Sequence, residues 1–369
     1  MTRQNPPFRA EHIGSLLRPN SVKDAANAYQ KGDISRGAYL ETLDREIARA
    51  VKLQESVGLQ SISDGEFSRS SWFGFFFERL DGFSLKPSLF RFHDACGHDY
   101  EWPTCYTSGK MRRGQPICVE DFERLQRLTR ETPKANMPSP SAFHFFRGDQ
   151  CRDDLVYPDI EIWWNDLAQI YRAEIGALSE AGCHYLQMDE VPLAMLCDSD
   201  VRQRVADLGR DPDDLTRRYV DTINKVLEAR STDMTVGMHL CRGNFRSRWM
   251  AQGGYDPVAE ILFNDLKVDA FFLEYDSPRA GDFSPLRFMA EDKIVVLGLI
   301  TSKMAELEDK DALKRRIDEA SHYVPLEHLA ISPQCGFASV AGGNALSEDE
   351  QMRKLALVVE VAQEVWGEA

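Results

Sequence analysis

Residues 234–241 read "MTVGMHLC" and are followed by "RGN" at 242–244. Val236, Met238 and Leu240 alternate with Gly237, His239 and Cys241. In a β-strand, residues i and i+2 point to the same face. His239 and Cys241 are therefore expected to project together, where an apolar run gives way to a turn. Alone, the pair is a weak motif that reads more readily as a packed strand end than as half of a metal site.

Similar runs recur along the chain. They are "FRAEHIGSLL" (8–17), "LQSISDGE" (59–66), "KANMPSPSAF" (134–143), "CHYLQMDE" (183–190), "DAFFLEYD" (269–276), "KIVVLGLI" (293–300) and "LAISPQCG" (329–336). Helical patterns lie between them. Leu40, Leu43, Ile47 and Val51 form an apolar stripe that ends at Gly58, and 163–182 repeats the pattern and also ends in glycine. Asp256-Pro257 reads as an N-cap followed by proline, and Ser347 with Glu350 as a capping box opening the last helix. Eight strand–helix units predict an α/β chain, a single (β/α)8 TIM barrel over residues 1–369. Residues 67–133 form a large aromatic-rich insertion after strand two, expected to act as a lid. The prolines in 134–143 argue against a central strand there.

The chain has 369 residues and a net charge of −15. An acidic balance excludes non-specific binding to nucleic acid or to anionic membranes, both of which need a basic face. The N-terminus lacks an apolar signal core and no stretch reaches membrane-spanning length, so a cytoplasmic protein is expected. There the eight cysteines are expected to be reduced thiols.

In a TIM barrel, chemistry sits at the C-terminal strand ends. The proposed strand ends carry Ser15, Asp64 and Glu66, Ser139, Asp189 and Glu190, His239 and Cys241, Glu274 and Asp276, Thr301, and Cys335. His239, Cys241, Glu274 and Cys335 suit Zn2+, which takes tetrahedral N, S and O ligands. Asp276 rivals Glu274, because both point to one face. Two thiolates, a carboxylate and the dication sum to −1. Such an electron-rich site suits activation of a substrate thiol rather than generation of hydroxide, and so implies S-alkylation.

The segments "HIGSLLRP" (12–19), "SDGEFSR" (63–69), "LQMDE" (186–190), "MHLCRGNF" (238–245), "FLEYD" (272–276) and "ISPQCGFAS" (331–339) resemble, in order, the catalytic barrel of cobalamin-independent methionine synthase. The likeness is to the short, single-barrel branch. It implies zinc held by His239, Cys241, Glu274 and Cys335. It implies homocysteine held by Ile13, Gly14, Ser15, Glu66 and Asp189, and transfer of a methyl group to its thiol, from 5-methyltetrahydrofolate or a related donor. The expected partners are thus a small-molecule thiol and a methyl donor, and homo-oligomerisation is compatible with the sequence. Two features depart from the family. Its proton-donating histidine after strand seven is replaced in "LGLITSK", which offers Thr301 and Lys303. Its folate-stacking aromatic corresponds to Phe145 or Phe146. The branch also resembles epoxyalkane–coenzyme M transferases, so another thiol or electrophile is the alternative.

His93, Cys96, His98 and Cys105 match no metal spacing and are expected to be loop residues. In "SWFGFFF" (71–77), Trp72 or Phe73 is a candidate pocket residue. His12 reads as a substrate contact or as a hydrogen-bonded strand histidine, and Glu190 as a substrate contact or a salt-bridge partner. His144, His184, Cys183 and Cys197 read as structural.

Overall fold

Short apolar runs rich in β-branched residues form the strands, and the amphipathic stretches between them form helices. The computed structural model describes residues 5–93, 98–244 and 248–369, with His93 described in its backbone only. The strands are β1 Ser61–Ile62, β2 Asp81–Pro87, β3 Phe92–His93, β4 Asp99–Tyr100, β5 Pro103–Arg112, β6 Thr132–Pro133, β7 Ala135–Pro138, β8 Tyr185–Glu190, β9 Thr235–Leu240, β10 Ala270–Glu274, β11 Ile294–Ile300 and β12 Leu329–Pro333. Strands β7 to β12 form one parallel sheet in sequence order. Long helices connect them, among them Ile160–Glu180, Pro212–Leu227, Asp256–Asp265 and Lys310–Ser321. The chain is therefore an α/β protein on a parallel sheet.

The first three expected strands are shorter than the sequence suggested. Within 8–17 a single bridge forms, between Ala10 and Ile331, with Glu11 N donating to Ile331 O and Ile331 N to Arg9 O, both at 2.9 Å. On its other side the segment meets the turn after β1, where Leu16 N donates to Gly65 O at 3.0 Å. β1 pairs in parallel with β6, which runs through Lys134 into β7. The run 134–143 is strand only to Pro138, and residues Ala142–Phe145 are helical. Pro140 offers no N–H to a ladder, and Ser139 and Ser141 turn to Glu190 instead.

Two apolar clusters result. The larger lies between strands and helices. The smaller gathers Ile13, Tyr185, Ala270, Phe272, Val296 and Ala330 on the other face of the strands. A buried Lys134–Glu11 ion pair at 3.3 Å accompanies it. The strand period of two carries this inner face upward, from Tyr185 through Gln187 to Asp189, from Gly237 through His239 to Cys241, and from Ala270 through Phe272 to Glu274. Gly237 is required here, because a Cβ would sit 2.7 Å from the Phe272 ring.

Within 67–133 lie the helix Gly74–Glu78, the antiparallel pairs β2·β5 and β3·β4, and the helix Val119–Leu128. The segment entering it is joined to the turn after β12: Trp72 N donates to Ser339 O and Ala341 N to Ser70 O. The capping box at Ser347 and Glu350 is present. At Asp256 the expectation fails: Tyr255 is the N-cap, and Asp256 is already helical. Among the described residues no helix is long and apolar enough to cross a membrane.

Candidate metal centre

His239 and Asp189 are cross-strand partners on β9 and β8. Cys241 follows directly, its N–H donating to Glu190 O at 3.0 Å. Cys335 enters from the turn after β12, where Gly336 allows a close approach to Ser15. A Cβ on Gly336 would stand 1.9 Å from Ser15 Oγ.

His239, Cys241 and Cys335 form a buried group whose ligand atoms all lie within 4.8 Å of one another. The two sulfurs are 3.5 Å apart. Tetrahedral zinc with bonds of about 2.3 Å would set an S···S edge of about 3.8 Å, so the spacing fits. Among the described residues, the buried His239 ring has no hydrogen-bond partner beyond the Cys335 sulfur beside it. Burial without a partner is costly for an imidazole, and a metal would satisfy one nitrogen. The hydrogen bond between the two sulfurs, and after it burial opposed by the nearby His239, leave the Cys335 thiol well below its ordinary value. A His/Cys/Cys donor set of this kind suits a tetrahedral metal such as zinc.

Glu274 is beside this group but outside it. Its carboxylate accepts from Gln334 Nε2 at 2.6 Å and from Arg242 N at 2.7 Å. Lys303 Nζ lies 3.5 Å from Glu274 and 3.9 Å from Asp276. Thr301 N donates to Glu308 at 2.8 Å.

A small cavity opens on His239, Cys241 and Cys335. Ile13, Ser15, Glu66, Trp72 and Asp189 line it too. Burial pushes Glu66 up to about 7, against the pull of Arg69, whose Nη1 lies 3.7 Å away. Burial likewise pushes Asp189 up to about 6, against the pull of His239 and of Gln187, which donates to Asp189 at 2.7 Å. Glu66 has φ +59°, the one positive value outside glycine among the described residues. Such strain persists where the surroundings over-determine a conformation, often at functional sites. Here Asp64 accepts from Glu66 N at 2.8 Å, and Arg18 donates to Glu66 O at 2.8 Å. Gly14 has φ +124° and packs under Asn136, which with Gln187 donates to Ile13 O at 2.7 and 2.8 Å.

Other expectations sort clearly. Trp72 lines the cavity, whereas Phe73 packs on Phe143. Phe145 stacks on Phe90 and Phe146 packs edge-on against Trp102, so neither faces the cavity. His12 bonds Ser61 O at 3.0 Å, and His144 bonds Tyr219 and Asp149. His184 pairs with Asp233 at the surface. Glu190 accepts from Ser139, Ser141 and Leu193 N, makes no salt bridge among the described residues, and is pushed up to about 7 by burial. Cys183 and Cys197 are buried. Cys96 and Phe245 lie outside the described residues, as does the His93 side chain; His98 is exposed and Cys105 buried. Sequence reasoning missed Arg18, Arg69, Arg242 and Gln334. Gln334 precedes a named ligand, and Arg242 follows one, which was the available signal.

The family of cobalamin-independent synthase catalytic domains matches residues 8–364. The Bacillus subtilis (strain 168) protein YxjH, itself uncharacterized, is 41% identical over 98% of this chain and 95% of its own. A methionine synthase of Pyrococcus abyssi is 26% identical over 88% of this chain and 84% of its own. The solved structure of a Listeria monocytogenes protein, proposed to be a vitamin-B12-independent methionine synthase, superposes with a TM-score of 0.75 at 36% identity, over 99% of this chain and 100% of that one.

Proposed function

The chain belongs to the cobalamin-independent synthase catalytic-domain family, and from that premise we propose that it is a zinc-dependent S-methyltransferase making methionine from homocysteine. The donor in this reading is a 5-methyltetrahydrofolate or a related methyl carrier. The observation that carries it is the meeting of His239, Cys241 and Cys335 with Glu66 and Asp189 around one cavity. A thiol-activating donor set and a carboxylate pair suited to an ammonium group are what an aminothiol substrate requires. The architecture we infer is a single (β/α)8 barrel. In it the 8–17 segment joins β12 to β1, and 67–133 covers the mouth as a lid.

Zinc held by His239, Cys241 and Cys335 would supply Lewis acidity that lowers the substrate thiol's pKa from about 8.5. Glu66 and Asp189 receive the ammonium group. Backbone N–H groups of the Ile13–Gly14–Ser15 turn suit the carboxylate. Ser139 and Ser141 keep Glu190 turned aside from this work. The S–CH3 bond forms as the donor's N–CH3 bond breaks, and the thiol's proton ends on the donor nitrogen.

The test is isotope transfer. The protein with zinc is incubated with homocysteine and methyl-labelled tetrahydrofolate, and the expected product is labelled methionine. Absence of transfer from folate and from a methylcobalamin protein, with alkylation of a different thiol, would replace this reading by a zinc thiol alkyltransferase using another electrophile, such as an epoxide.

A further inference from the structure

Arg69 follows Glu66 by three residues, and Arg69 N, donating to Glu66 O at 3.1 Å, closes the turn between them. The turn brings Arg69 Nη1 to 3.7 Å from Glu66 Oε1, with both side chains buried. Arg69 is held from two further sides. Its guanidinium lies 4.0 Å from the ring centre of Phe75, on the helix Gly74–Glu78. Its Nη2 donates to Asn136 O at 2.9 Å. Asn136 in turn donates to Ile13 O, as does Gln187, which also donates to Asp189. One hydrogen-bonded frame therefore joins Arg69 to the Ile13 turn and to Asp189. Arg69 itself is not among the described residues that line the cavity.

The contact between Arg69 and Glu66 is a charge pair without a hydrogen bond. Glu66 Oε2, Arg69 Nε and Arg69 Nη1 have no hydrogen-bond partner among the described residues. The guanidinium thus sets its charge behind the carboxylate and leaves lone pairs of that carboxylate for another donor. The charges that act on Glu66 are those of Arg69, Asp189, Arg18 and Asp64. Three carboxylates against two guanidiniums leave one negative charge, the complement of one ammonium group. Arg18 spends Nη1 and Nη2 on four backbone carbonyls, so Arg69 is the guanidinium set directly beside Glu66. Without it, buried carboxylates this close would hold a proton rather than all ionise. A protonated carboxyl gives an ammonium group a weaker bond than a carboxylate does.

We propose that Arg69 is a positioning residue for the substrate's ammonium group: fixed by Phe75 and Asn136, it places one positive charge behind Glu66 without occupying the carboxylate, so that Glu66 and Asp189 together accept a single cation. This rests on the aminothiol reading above. Arg69 acts on the substrate only through Glu66, and it governs the amino group rather than the thiol.

KM and kcat for homocysteine, measured with the zinc-loaded protein, test it together with the Ki of 4-mercaptobutanoate as a competitor. That thiol keeps homocysteine's chain and carboxylate and lacks its amino group. In Arg69→Met the KM for homocysteine is expected to rise about tenfold, with kcat and the Ki of 4-mercaptobutanoate each within about twofold of wild type. Arg69→Lys, which keeps the charge, should return KM to within about threefold of wild type. A folded Arg69→Met with unchanged KM for homocysteine overturns the inference. So does an equal loss for both thiols, or a fall in kcat of about tenfold, because either marks a role in the shape of the site rather than in its charge. If Arg69→Met does not fold, Arg69→Gln, which keeps N–H donors and loses the charge, decides by the same criteria. Wild-type protein that does not methylate homocysteine fails the earlier reading instead, and this inference with it.

Discussion

The sulfur atoms of Cys241 and Cys335 lie 3.5 Å apart, although 94 residues separate them in the chain. A disulfide needs about 2.05 Å, so the two are distinct thiols held at contact distance. In the metal-free protein a mild oxidant is expected to join them, and bound zinc to protect them. Peptide mapping after oxidation, with and without a chelator, reads this directly. A chelated, oxidised sample with both thiols still free would count against it.

Cys335→Ser removes one of three clustered donors. Zinc content and turnover are expected to fall together, with the far-ultraviolet circular dichroism unchanged. Cys197→Ser, also buried but outside the cluster, is expected to keep its zinc. Full turnover by zinc-free Cys335→Ser would sink the proposed chemistry.

Glu66 is pushed up to about 7 by burial, from about 4.3 in an unfolded chain. Between those values the folded state keeps a proton that the unfolded chain has lost. The group's contribution to stability is therefore greatest on the acid side of the window and declines as pH rises through it. Ammonium binding needs the charged form, so KM for an aminothiol is expected to rise as pH falls below about 7. Glu66→Gln should raise KM at neutral pH and flatten both profiles. Thermal melts and KM measured from about pH 5.5 to about pH 8.5 test the pair. An unchanged KM profile in Glu66→Gln would remove Glu66 from substrate binding.

Gly336→Ala would drive a Cβ to 1.9 Å from Ser15 Oγ. Overpacking of this kind costs about 1–3 kcal/mol, and here it also shifts the turn that carries Cys335. Weaker zinc binding and a lower urea midpoint are expected. Ser15→Ala in the same chain should recover part of the stability by removing the atom that is struck. Equal stability of Gly336→Ala and wild type would show that the turn has more room than these contacts allow.

Much of this site was legible from local pattern. Alternation put His239 with Cys241 and Glu274 with Asp276, because a strand's period of two is written into neighbouring residues. The strands β8 to β12 followed from apolar runs for the same reason. The run 134–143 misled, because Pro140 and the helix after it answer to Glu190 on the next strand rather than to their own sequence neighbours. Arg18, which ties the carbonyls of Glu66, Arg69 and Ala338 together, lies in one of the family-like segments, but nothing in its neighbours marked that role.

By itself the sequence determined which residues share a face and which segments resemble a thiol-activating barrel, since both are short-range properties. It left Glu274 and Asp276 as rivals for one role. Only the tertiary structure decided that Cys335 comes within contact of Cys241 while Glu274 is held by Gln334, Arg242 and Lys303. Those distances depend on how strands far apart in the chain meet across the sheet, and in a buried site they decide which charged groups pair with one another.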